Sequence, residues 1–182
     1  MKKLLISLTV VAAAGCAMQP ASPPPKLKDG EVAIPSDYKS WPKFLTDIQR
    51  PDAKQIRDIY INTVGASAKA GSPFANGTMS VMEIYKAKEN ADGSLMKTAD
   101  GKLVKGDLAK VFVMAKGEGW GELAPAGLKN GDWSYSAYLA DAKTPSPDPI
   151  AACRACHLPL GESKDFVHRY DEYFQKRVAS GY

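Results

Sequence analysis

The run Cys153-Arg154-Ala155-Cys156-His157 constrains this 182-residue chain more than any other. Cys-x-x-Cys-His is the spacing of covalent c-type haem attachment. Two thiols a few residues apart can add to the two vinyl groups of one haem. The histidine after the second cysteine is then placed beneath the ring as the proximal iron ligand. Other readings lack partners. A thioredoxin-like pair belongs beside a βαβ pattern, which is missing. A structural zinc site needs four ligands, and the remaining cysteine and histidine are Cys16 and His168. The residues predict one covalent haem c, with thioethers at Cys153 and Cys156 and with His157 on the iron.

The N-terminus agrees with that cofactor. Lys2 and Lys3 precede an apolar stretch from Leu4 to Ala14, followed by small residues and Cys16. This is the plan of a secretory signal, too short for a stable membrane span. Ala13-Ala14-Gly15-Cys16 is similar to a bacterial lipobox, in which Cys16 is lipidated and becomes the mature N-terminus; leucine is preferred where Ala13 stands. Residues 1–16 thus read as a signal segment whose lipobox ends at Cys16, leaving a periplasmic protein whose only membrane contact is a lipid anchor. Residues 17–35, with Pro23-Pro24-Pro25, read as an extended tether. Residues 36–182 are long enough for one haem domain with a sizeable core. The formal net charge of +4 includes Lys2 and Lys3 and falls in no basic block, which gives no case for nucleic acid.

Along the domain, Pro51 and Asp52 predict the start of a helix, with Ala53, Ile56, Ile59, Tyr60 and Val64 at helical spacing. Beyond Gly77 the period changes. Residues 78–86, 110–116 and 133–139 read as strands, and Asp92-Gly93 and Asp100-Gly101 as turns of an exposed hairpin excursion. Ser163 can cap a last helix whose apolar stripe is Phe166, Val167, Tyr170, Tyr173, Phe174 and Val178. A late haem motif behind strands separates this chain from all-helical cytochromes.

The run from Phe74 to Tyr85, then Val111-Phe112-Val113 with Gly119-Trp120-Gly121, then Cys153 to His157, resembles the cytochrome P-460 and cytochrome c′-beta family. The resemblance covers roughly Ser36 to the C-terminus. It implies an α+β fold, mainly an antiparallel β-sheet with flanking helices and a c-type haem near the C-terminus, commonly as a homodimer. Family members that oxidise hydroxylamine carry a lysine cross-linked to the haem, five residues beyond the turn glycine. Here that position is Met82. Lys86 shares its strand parity but lies roughly 13 Å further along. The cytochrome c′-beta branch lacks the cross-link, has an apolar distal pocket and is associated with nitric oxide.

Met82 has two readings. Its thioether is a candidate distal iron ligand, a pairing with histidine that raises the reduction potential. It is equally an apolar wall residue, since methionine fills irregular gaps. Met79 and Met114 are weaker ligand candidates. Phe74, Phe112 and Met114 are candidates for the distal pocket. A distal carboxylate base is not evident: Glu83 points to the opposite face from Met82, and Asp107 is the remaining candidate. The expected function is an exported mono-haem cytochrome without a cross-link, binding nitric oxide or passing electrons to a redox partner protein. The alternative is a redox enzyme oxidising hydroxylamine or related nitrogen oxides.

Overall fold

Period-two patterning builds the sheet on which this protein is organised. The computed structural model describes residues 25–179. The signal segment, the lipidation candidate Cys16 and the first part of the tether lie outside the described residues. Five strands form one antiparallel sheet in sequential order: β1 (Lys43–Arg50), β2 (Gln55–Ile61), β3 (Met79–Ala87), β4 (Lys105–Lys116) and β5 (Trp133–Leu139). Among the described residues three α-helices accompany them: α1 (Thr63–Ala66), α2 (Ile150–His157) and α3 (Tyr170–Ala179). The fold is α+β, as the family resemblance implies.

The expected helix from Pro51 is a strand. Residues Pro51–Ala53 make one 3-10 turn, which ends at Lys54 in the left-handed conformation, and β2 follows at once. Ile56, Asp58 and Tyr60 are buried on one face of β2, while Arg57 and Ile59 point to the other. Positions 56, 59 and 60 fit a helical period by coincidence, and the β-forming isoleucines and tyrosine decide for strand. β1 carries no clean alternation because its register shifts twice, with Asp47 at a φ of 54°. Such a bulge bends the strand and hides its period.

Alternation divides the sheet into two differently covered faces. On one side Phe44, Ile48, Trp133 and Tyr135 meet the aromatic residues of α3 and its approach. Here the expected C-terminal stripe is shorter than the sequence predicts. Tyr170, Tyr173 and Phe174 are buried on α3, Phe166 and Val167 pack from the preceding loop, and Val178 is 78% exposed. On the other side Val81, Val111, Val113 and Tyr138 pack against Val32 and Tyr38.

That second layer revises the tether. Residues 27–34 are docked, not extended away. Gly30 N–H donates to the Tyr135 carbonyl at 2.8 Å, and the Tyr138 hydroxyl donates to the Val32 carbonyl at 2.8 Å. Further along β5, Leu139 N–H donates to Thr144 and Ser146 N–H to Ala137. Both halves of the outer edge of β5 are therefore covered, which removes an open template for strand pairing.

Glu83, on this second face, is 1% exposed. It accepts hydrogen bonds from the hydroxyls of Tyr38 (2.7 Å), Tyr85 (2.7 Å) and Tyr60 (3.2 Å), and Lys39 lies 3.3 Å away. Burial pushes its pKa up, but the Tyr85 and Tyr38 hydroxyls and Lys39 outweigh it and hold the carboxyl below the ordinary range. A folded pKa below the unfolded one adds stability above the ordinary value of 4.5 that is lost as pH falls through the folded value. Glu83→Gln should cost about 1–3 kcal/mol at pH 7. Its urea midpoint should also fall less than wild type between pH 6 and pH 3; equal acid sensitivity would count against this role.

Candidate functional site

Helical spacing sorts the four key side chains of α2. Cys156 and His157 lie three and four residues after Cys153, so all three share one face. Arg154, one step round, points elsewhere and is 1% exposed. Its Nε and Nη2 donate to the two carboxylate oxygens of Asp29 at 2.6 and 2.9 Å, a bidentate pair. The remaining donors reach the Trp133 carbonyl (2.9 Å), the Leu128 carbonyl (3.3 Å) and the Asn130 side-chain oxygen (3.4 Å). Asn130 in turn donates to the Arg154 carbonyl at 3.2 Å. The guanidinium thus pins α2 to β5, to the preceding loop and to the docked N-terminal segment.

With Arg154 fixed, the other face of α2 lines a cavity of about 380 Å³ against the sheet. His157 hydrogen-bonds through Nδ1 to the Phe166 carbonyl at 2.7 Å. A carbonyl only accepts, so Nδ1 carries the proton and Nε2 keeps its lone pair. Burial pushes the His157 pKa down to about 4, further lowered by His168 and opposed by the Phe166 bond. The ring is neutral at pH 7, with an oriented donor nitrogen of the kind metal-ligating histidines present. Cys153 and Cys156 are free thiols lining the same cavity. Burial, then Asp29 and Asp148, push the Cys153 thiol up to about 11, so it is protonated.

The opposite wall comes from the sheet. Met82 on β3 stands between Ile59 of β2 and Phe112 of β4, its register partners, and all three line the cavity with Met114. The cavity therefore gathers Cys153, Cys156, His157, Met82, Phe112 and Met114. Phe74 is elsewhere: it packs among Phe44, Trp133, Tyr170 and Phe174, with ring centroids 5.9–6.4 Å apart, and does not line the cavity. Its place before the turn puts it under α3, in the core. Met79 packs on the second face, and Lys86 and Asp107 are exposed and off the cavity lining.

Several lining residues carried no local signal. His168 lies with its Nε2 3.4 Å from Cys156 Sγ and its ring 4.7 Å from that of His157. Asp148 brings a carboxylate to the cavity, held by Lys110 Nζ at 2.6 and 2.8 Å and kept below the usual range by that contact and by Ser146. Arg50, Arg57 and Arg169 also line it. Tyr135 was legible as a strand residue only. Its buried hydroxyl has no hydrogen-bond partner among the described residues, and burial drives its pKa up, so it stays a proton donor.

These residues fit a haem. The cavity offers an oriented neutral imidazole, two thiols on the same helix face, an apolar facing wall and an unsatisfied hydroxyl. Asp29→Ala should strand the buried Arg154 charge and cost about 3–5 kcal/mol in urea unfolding. The double change Asp29→Leu with Arg154→Met should cost clearly less; equal losses would show that charge pairing is not what holds α2.

A family model described as Cytochrome P460 matches residues 35–169, which include every strand and the whole of α2. No curated protein matches the chain.

Proposed function

The chain belongs to the cytochrome P460 family, a family of haem-binding cytochromes, and on that premise we propose that it is an exported mono-haem c-type cytochrome without a lysine cross-link. It binds a small ligand such as nitric oxide or transfers electrons to a redox partner protein. Cys153 and Cys156 hold the haem through thioethers, and His157 Nε2 binds the iron. Bound haem supplies an iron that takes a sixth ligand or carries one electron.

The observation that carries this reading is the wall facing α2. Among the described cavity-lining residues none is a lysine, and Met82 stands between Ile59 and Phe112 where cross-linked relatives place the amine. The thioether is the candidate distal ligand, and Phe112 and Met114 keep the surrounding wall apolar and exclude water. The Phe166 carbonyl fixes the His157 tautomer, and Arg154 fixes the helix that carries it.

Oxidation of hydroxylamine is the second reading. One observation favours it, the Asp148 carboxylate in the cavity as a proton acceptor, although Lys110 and Ser146 already engage it. Export to the periplasm, a lipid anchor at Cys16 and a homodimer belong to the proposal. No helix among the described residues is long and apolar enough to cross a membrane.

Absorption spectra of the oxidised and reduced protein, with and without nitric oxide, test the reading. A ferrous Soret band at an ordinary c-type position is expected, and a strong red shift would indicate a cross-linked haem and overturn the proposal. Met82→Ala should abolish a methionine-to-iron charge-transfer band in the oxidised protein and lower its reduction potential. An unchanged spectrum would leave Met82 as wall alone.

A further inference from the structure

Arg57 is a cation in an apolar row. Its register partners across the sheet are Ile48 on β1 and Ile84 on β3, and all three line the cavity. The other two cavity arginines have carboxylates: Arg50 pairs with Asp52 at 2.7 Å, and Arg169 with Glu172 at 2.6 Å. Arg57 has no carboxylate within ion-pair distance among the described residues. Its Nε and Nη2 both donate to the Gln55 side-chain oxygen, at 3.2 and 2.8 Å. Gln55 aligns the guanidinium and satisfies hydrogen bonds, but it supplies no charge.

A half-buried charge without a counter-charge is costly, and a planar guanidinium is built to take a carboxylate in its fork. Burial lowers the Arg57 pKa first and the charges of Arg50 and Arg169 add to it, with Cys156 and Asp52 partly offsetting them. We propose that Arg57, aligned by Gln55, is a carboxylate-binding site inside the cavity that takes a propionate of the bound haem. This rests on the haem reading above. A free oxyanion such as nitrite has the same chemistry and is the competing occupant.

Neutralising a propionate favours the ferrous iron, since it removes negative charge that stabilises the ferric state. Spectroelectrochemical titration of the haem-loaded full chain reads this directly. Arg57→Gln should lower the midpoint potential at pH 7 while covalent haem content, measured as the pyridine haemochrome, stays at the wild-type level. Arg57→Lys, which keeps the charge and loses the fork, should keep most of the potential but shift the propionate-bending band in resonance Raman spectra. Should Arg57→Gln fail to load haem, the lysine variant decides, and an unshifted band there overturns the site. A haem-bearing Arg57→Gln with the wild-type potential overturns it as well. So does a saturable response of the wild-type spectrum to nitrite that Arg57→Gln abolishes, since that hands the site to a free anion. A wild-type chain with no haem would overturn the functional reading together with this one.

Discussion

Everything at the cavity hangs on one buried ion pair. Arg154 occupies a variable position inside the Cys-x-x-Cys-His run, yet it is among the most enclosed side chains of the protein and is bound by Asp29 from the docked N-terminal segment. A buried guanidinium stranded without its carboxylate is unfavourable by several kcal/mol. Its presence therefore compels the N-terminal segment, the loop through Asn130 and strand β5 to close round α2 together. The cysteines and His157 inherit their direction from that closure, because a helix pinned on one face has little freedom to rotate the other.

The sheet performs a second division of labour. On β3, Met82 faces the cavity and its neighbour Glu83 faces a cluster of three tyrosine hydroxyls and a lysine. One residue step separates an apolar wall from a buried, fully hydrogen-bonded carboxylate. A register slip of one residue would exchange them and place a negative charge in the apolar wall of the cavity. The Glu83 cluster thus guards the register on which the composition of the cavity depends.

Much of this was legible in the chain. Strands β3, β4 and β5 announce themselves by alternating, β-forming residues, and the haem-type spacing names the helix face of Cys153, Cys156 and His157. What escaped had physical causes. Arg57 and Asp58 interrupt the hydrophobic pattern of β2: Asp58 meets Lys105 on one face, and Arg57, held by the Gln55 side-chain oxygen, faces the cavity on the other. The bulge at Asp47 erases the period of β1. The sequence neighbours of Phe74 point it to the pocket, but the aromatic core under α3 claims it. Leu27 to Ile34 reads as tether because its anchors, Ser134, Tyr135, Ser136 and Tyr138, stand about a hundred residues away. Local composition carries no trace of such partners, and it carries none of the convergence of His168 and Asp148 on the cavity.

The Asp29–Arg154 pair joins positions 125 apart in sequence. Its consequence is one of timing. Contacts of long sequence separation form late, because the loop they close must first be paid for in entropy. The sheet can assemble strand by strand from neighbours, but the cradle of α2 is complete only when the beginning and the end of the domain have met. Enclosure of the cavity is then a property of the whole domain, because the helix that lines it is pinned by a carboxylate from the opposite end of the sequence.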